Sequence, residues 1–154
     1  MDFSLFEYCS LFIQGAVGMA IFATFIIYYR QLKVMRSASD AQNILAVVNL
    51  LQREDVRSAR RIVRQELEGL MFSLWTPEHK TAAALVCSSY DMAAILIKNG
   101  LVPADIFIKE WGPSIIHCRD ILNDYLVEMR RLKGSSSEYW NDFDLLYEKA
   151  KKNT

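Results

Sequence analysis

YCSLFIQGAVGMAIFATFIIYY, residues 8–29, is an uncharged stretch of 22 residues set between Glu7 and Arg30, with Ser10, Gln14 and Thr24 as its clearly polar interruptions. At 1.5 Å rise per residue, a helix of this length spans about 33 Å, enough for a hydrocarbon core of about 30 Å. A core helix of a water-soluble domain shows a polar stripe. Here Leu11-Phe12-Ile13 and Ile21 to Ile27 are apolar all round, as a lipid-exposed helix requires. The stretch therefore predicts a transmembrane helix.

The flanks set its orientation. Asp2 and Glu7 precede it, whereas Arg30, Lys33 and Arg36 follow at once, so the positive-inside rule places Arg30 onward in the cytoplasm and the short acidic N-terminus outside. A cleaved signal peptide fits poorly, because no Lys or Arg comes before Arg30 and the segment ends in bulky Phe25-Ile26-Ile27-Tyr28-Tyr29 rather than a small-x-small site. Tyr8, Tyr28 and Tyr29 suit the interfacial aromatic belts. Ala16, Ala20 and Thr24, flanked by Gly15 and Gly18, form a small-xxx-small row that offers a homodimer face within the bilayer.

The rest is large enough for one domain. Of 154 residues, about 120 remain after the span, sufficient to bury a core of their own. The expected organisation is a membrane anchor with a juxtamembrane basic segment over 1–36 and a cytosolic helical domain over 37–154. The chain holds 18 basic and 18 acidic residues, and setting aside Asp2 and Glu7 leaves 18 against 16, a net charge of +2. Nucleic acid is therefore not an expected partner. Cys9, Cys87 and Cys118 have no CxxC spacing, which disfavours a disulfide framework or a thiolate metal site.

Helix signals dominate and no alternating β-branched run appears, so the fold class is all-α: the N-terminal transmembrane helix and then a compact cytosolic bundle of about five to six helices. The anchor continues through Arg30 to Arg36. Ser37 and Ser39 then cap a new helix over about Asp40 to Gln52, and Asp55 caps the next, which runs to about Leu70. Thr76-Pro77-Glu78 starts a central helix that ends at Asn99-Gly100, with Gly100 left-handed and Leu101 folding back towards Leu96. Pro103 opens a short helix over Ile106-Phe107-Ile108, and Gly112-Pro113 ends it. The longest helix of the domain follows, with Ile115, Cys118, Leu122, Tyr125, Met129 and Leu132 on one face and Gly134 at its close. Ser135 and Glu138 make a capping box for a last helix carrying Tyr139/Trp140, Phe143, Leu146/Tyr147 and Ala150.

With these residues in view, the sequence resembles a bacterial family of uncharacterised, single-pass, membrane-tethered helical proteins, a family defined only as a domain of unknown function. The resemblance rests on the N-terminal anchor, Ala59-Arg60, Trp75-Thr76, Tyr90-Asp91, the Leu96 to Gly100-Leu101 ending, Arg130, and Tyr139-Trp140-Asn141-Asp142-Phe143 with Leu145 or Leu146 after it. It covers essentially the whole chain. It implies an all-helical cytosolic module on a membrane leash; with the orientation set by the charged flanks, the expected location is the cell inner membrane, single-pass, N-terminus outside. It brings no established activity or ligand.

Three sets of candidate site residues stand out. Asp91 lies in the central helix, whose Ala, Ser and Cys residues suit close packing with several neighbours. A buried carboxylate there needs a cation, for which Arg60, Arg119 and Arg130 are candidates. Asp91 reads as half of a structural ion pair that fixes helix register, as a catalytic or ligand-binding carboxylate, or as a simply exposed residue. Arg57/Arg61 and Arg60/Arg64 are spaced i, i+4 and, with Arg53, make a cationic strip: a solvated face, or a clamp that joins Arg30, Lys33 and Arg36 against an anionic leaflet. His79 and His117 lack ligand spacing, and His117-Cys118 point about 100° apart on a helix. No Gly-rich phosphate loop, HExxH or GxSxG is present, so no cofactor is expected.

The leading functional expectation is a membrane-tethered interaction or regulatory module whose partners are the lipid bilayer and a protein recruited by exposed helix faces. The alternatives are a membrane-acting effector that oligomerises through its span, in defence or stress, and an enzyme of unfamiliar type with a polar pocket near Asp91, Tyr90 or Arg130.

Overall fold

Between Gly18 and Gly69 the sequence has neither glycine nor proline, and helix α1 runs unbroken from Leu5 to Gln52. The expected interruption at Ser37 and Ser39 does not occur. Once a helix exists, each further residue adds one hydrogen bond, whereas ending and restarting it orphans four N–H and four C=O groups and requires a new nucleus. Two serines are too weak a signal to reverse that balance. The structure, a computed structural model, describes residues 5–132 and 138–153, with side chains from Ser10 onward except Leu11. The expected closure at Gly134 and the Ser135 half of the capping box lie outside the described residues, as does Asp2.

The chain separates into two compact units that divide between Ala41 and Gln42. In the first unit the apolar side chains are exposed, among them Phe12, Met19, Phe22 and Phe25. The second unit is a helical bundle: the end of α1, then α2 (Glu54–Gln65), a 3-10 turn (Phe72–Leu74), α3 (Pro77–Lys98), α4 (Ala104–Ile121), α5 (Asn123–Leu132) and α6 (Asn141–Lys152). No strand occurs among the described residues. The all-α class and the order of a long apolar N-terminal helix followed by a helical bundle are as the sequence predicts.

Helix α2 is amphipathic, burying Val56, Ala59, Arg60 and Val63 at spacings of three and four. Arg53, not Asp55, occupies its N-cap, and Asp55 instead accepts the Val56 N–H at 2.9 Å in the first turn. The helix stops at Gln65, short of the expected Leu70, and the chain turns through Gly69 at φ +75. The following 3-10 turn is pinned by aromatic packing. Trp75 donates Nε1–H to the Leu70 carbonyl at 3.2 Å and stacks on Tyr125 at 5.8 Å, and Tyr125 lies 5.9 Å from Trp140.

Helix α3 is central, packing against α2, α4 and α6. Ala82, Ala83, Cys87, Ser89, Ala93 and Ala94 are all buried, and small side chains are what let three neighbours approach one helix. Both of its ends follow the sequence signals. Thr76 Oγ1 accepts the His79 N–H and His79 Nδ1 accepts the Thr76 N–H, a reciprocal cap in which histidine replaces the usual Glu or Gln. At the other end Gly100 adopts φ +69, and Gly100 N–H and Leu101 N–H bond to the Ile97 and Leu96 carbonyls, a complete Schellman motif.

Helix α4 runs uninterrupted through Gly112-Pro113, where a break was expected. An internal proline removes one hydrogen bond and crowds the carbonyl four residues back, a cost of about 3 kcal/mol. Against it, Phe107, Ile108 and Ile115 are buried on one face on both sides of an exposed Pro113, each contributing about 1.5–3 kcal/mol. Burial exceeds the penalty. The long helix expected after Pro113 is instead divided at Leu122, yet the apolar stripe survives: Ile115, Cys118, Leu122 and Tyr125 are buried, Met129 is half-buried and Leu132 is exposed.

Candidate functional site

The four arginines of α2 divide between two environments. Arg57, Arg61 and Arg64 are exposed, whereas Arg60, on the apolar side of the same helix, is only 8% exposed. Together they line a cleft of about 550 Å³ between α2 and α4, completed by Gln52, Gln65, Trp111, Ser114 and His117. A volume of this order is that of a small-molecule site.

Arg60 organises the cleft. Its Nη2 donates to the Leu51 carbonyl at 2.7 Å, one of the acceptors left free where α1 ends. Its Cζ lies 4.7 Å from the centre of the Trp111 ring, a cation–π contact of about 1–2 kcal/mol in a desolvated setting. Its Nη1 is buried and makes no hydrogen bond of good geometry among the described residues, although the guanidinium lies near enough to the Tyr90 hydroxyl to oppose the rise in the phenol's pKa. Guanidinium is the most weakly hydrated of the cationic side chains, which makes its burial on an indole feasible. An unsatisfied charged N–H remains costly, at several kcal/mol for a full loss of partners.

Acidic compensation is sparse. Glu68 and Glu110 line the cleft; Glu68 lies 3.7 Å from His117 Nε2, and the exposed Arg57 is 3.8 Å from Glu54 outside it. Arg61 and Arg64 have no carboxylate within ion-pair distance among the described residues. Behind the cleft, the hydroxyls of Tyr90 and Ser114 share a hydrogen bond of 2.8 Å. Burial pushes the Tyr90 phenol up to about 12 and the Cys118 thiol up to about 11, so both stay protonated at neutral pH. Cys118 is a fully buried core residue and offers no thiolate nucleophile. Trp111 also lines an adjoining apolar groove with Ile44, Val48, Val102, Ile106 and Phe107.

The structure does not join Asp91 to any of its three candidate arginines. Arg60 is taken up in the cleft. Arg119 and Arg130 do come together, but on Asp144: Arg119 Nε donates to one carboxylate oxygen at 2.6 Å and Arg130 Nη2 to the other. Arg130 also donates from Nε to the Tyr139 carbonyl at 3.0 Å. The shared carboxylate thus ties α4, α5 and the start of α6. Asp91 does something else. Its Oδ1 accepts the Phe143 N–H at 3.0 Å, supplying from α3 a cap that α6 lacks locally, since Trp140 sits at its N-cap with φ 56 and makes no side-chain cap bond. Partial burial raises the Asp91 pKa, opposed first by this same hydrogen bond.

The participants missed by sequence were Trp111, Gln52, Gln65, Glu110, Ser114 and Asp144. Only Trp111 had a signal: an aromatic spaced four residues from Phe107 on an apolar helix, with which it stacks at 6.4 Å.

Residues 10–150 match the family described as Domain of unknown function (DUF4760), a span reaching from α1 into α6. The chain belongs to the DUF4760 family. No curated protein and no solved structure matches it. The function of this DUF4760 member is therefore to be read from its own geometry, above all from the arginine cleft that Arg60 lines.

Proposed function

We propose that this DUF4760 protein is a membrane-tethered interaction module: α1 spans the inner membrane with its N-terminus outside, and the cytoplasmic bundle uses the arginine cleft between α2 and α4 as its recognition site. The anchor reading is supported by one observation above others. Phe12, Met19, Phe22 and Phe25 are each about two-thirds exposed or more on a helix long and apolar enough to cross a membrane, a contiguous apolar surface that water-soluble monomers do not present. The polar Thr24 is compatible with lipid because its hydroxyl donates to the Ala20 carbonyl at 2.7 Å, leaving no unsatisfied donor. Arg30, Lys33 and Arg36 on the C-terminal flank of the apolar run favour a cytoplasmic location for the bundle.

The interaction reading draws on a cleft that is open and cationic, with four arginines against two glutamates. Full-length protein is expected to stay in the pellet when native membranes are washed with alkaline carbonate, and its C-terminal bundle to resist protease added to intact cells. Release into the supernatant would remove the anchor. The recognition half is tested separately by affinity purification from detergent-solubilised membranes: a stoichiometric partner lost in an Arg61→Gln/Arg64→Gln variant is expected, and a partner retained in that variant would remove the cleft from the interface.

A further inference from the structure

We infer that the arginine cleft binds a phosphate-bearing ligand, with Arg60 Nη1 at its floor and Arg61 and Arg64 at its mouth. The inference rests on the cleft being the recognition site and is independent of the anchor. Three observations converge. Arg60 is more than nine-tenths buried, lines the cleft, and carries an Nη1 that makes no hydrogen bond of good geometry among the described residues, its guanidinium only approaching the Tyr90 hydroxyl, while its Nη2 is satisfied. A buried charged donor left unpaired is a standing cost that an incoming acceptor relieves. Trp111 fixes the guanidinium from one side, so the free nitrogen is held in place before any ligand arrives, which reduces the entropy lost on binding.

The charge count selects the class of anion. Four arginines face two glutamates in the cleft, an excess of two positive charges, and a single carboxylate would offset only half of it. A phosphate group brings a charge of about −1.5 to −2 at neutral pH and several acceptor oxygens, and arginine forks match its geometry in bidentate fashion. Gln65 of α2 and Ser114 of α4 also line the cleft and add neutral polar groups. The phosphate belongs either to a soluble phosphorylated compound or to a phospholipid headgroup.

Full-length protein in micelles of a non-ionic, phosphate-free detergent is titrated with inorganic pyrophosphate by calorimetry. One saturable site is expected, weakening as ionic strength rises and losing at least tenfold in affinity in the Arg61→Gln/Arg64→Gln variant. Both of these arginines are exposed, so the unliganded fold should be unaffected, as read by unchanged tryptophan fluorescence. Arg131→Gln, outside the cleft, should bind as the parent does. Adding phosphatidylglycerol to the micelles identifies the source: displacement of pyrophosphate assigns a headgroup, and no displacement a soluble phosphate. Absence of saturable binding, or equal affinity in the double variant, would overturn the inference whether or not the protein pellets with membranes.

Discussion

Helices α1 and α3 are both long and apolar enough to cross a bilayer. Their surroundings are opposite. None of the most apolar stretch of α1 is buried, whereas half of that in α3 is, and the side chains explain why. In α1 the apolar positions are predominantly bulky Phe, Ile and Met around the short row of Gly15, Ala16, Gly18 and Ala20, and over most of the helix they present surface but hold neighbours at a distance. In α3 they are largely Ala, Cys and Ser, which expose little apolar area themselves and let α2, α4 and α6 pack closely. α3 is also capped at both ends by motifs suited to an aqueous domain, the Thr76/His79 pair and the Gly100 Schellman turn. Hydropathy measures how much a helix must be removed from water. Side-chain size decides whether protein can do the removing.

The largest test of this contrast is to delete an aromatic from each region. Phe143 is fully buried against Tyr90, with ring centres 5.3 Å apart, and Phe143→Ala is expected to cost the bundle about 3–5 kcal/mol. Phe22 is 67% exposed, and Phe22→Ala should leave bundle stability unchanged. The three tryptophans, Trp75, Trp111 and Trp140, all lie in the bundle, so urea unfolding followed by tryptophan fluorescence reports that unit alone. Equal loss in both variants would erase the distinction. Charge then sharpens it: Phe22→Arg costs about 2.5–3.5 kcal/mol in a lipid-spanning helix, so carbonate-resistant retention should fall sharply while the fluorescence transition holds. Smaller still is adding bulk where α3 relies on small residues. Ala93 is fully buried, and Ala93→Leu is expected to destabilise the bundle by about 1–3 kcal/mol, whereas Ala23→Leu in α1 should not alter the transition.

Much of the fold was legible because its signals are local. The uncharged run 8–29, the Thr76-Pro77 start and the Asn99-Gly100 stop each state their meaning within a few residues. What misled were signals whose outcome depends on neighbours distant in sequence. Ser37 and Ser39 are good caps, but capping requires a helix to end. Gly112-Pro113 breaks an isolated helix, yet Phe107 and Ile115 on either side are buried by other elements and carry α4 across it. The candidate site shows the same division. The i, i+4 arginines of α2 were readable as one strip, but the burial of Arg60 within it depends on Trp111, 51 positions onward. Asp91 was readable as a carboxylate on a packed helix, but its partner is a backbone N–H created only when α6 docks, and backbone donors have no sequence signature. Asp144 was passed over because a residue in the first turn of a helix reads first as a dipole partner.

Asp91 gives the finest test, since its carboxylate faces another helix through a backbone N–H rather than through a cation. Removing the acceptor in Asp91→Ala should cost about 0.5–2 kcal/mol, the range for a lost helix cap. Asn retains an oxygen for the Phe143 N–H, so Asp91→Asn should lose far less. The pH dependence separates capping from charge. The Asp91 pKa is raised in the folded protein by burial and, to a lesser extent, by Asp142 and Asp144, so between the ordinary aspartate value and the raised one the native state holds more proton than the unfolded state. Stability then decreases as pH rises through that window, because ionisation is less favourable in the fold than outside it. Asp142 is paired with Lys98 at 2.7 Å and Asp144 with Arg119 and Arg130, and the same groups remain in Asp91→Asn. The difference in urea midpoint between parent and Asp91→Asn should therefore move in favour of Asn as pH rises through the mildly acidic range and level off above it. A difference that moved in favour of the parent would mean that the ionised carboxylate is stabilised in place, and that Asp91 resembles the ion-paired Asp144 rather than a cap lent by one helix to another.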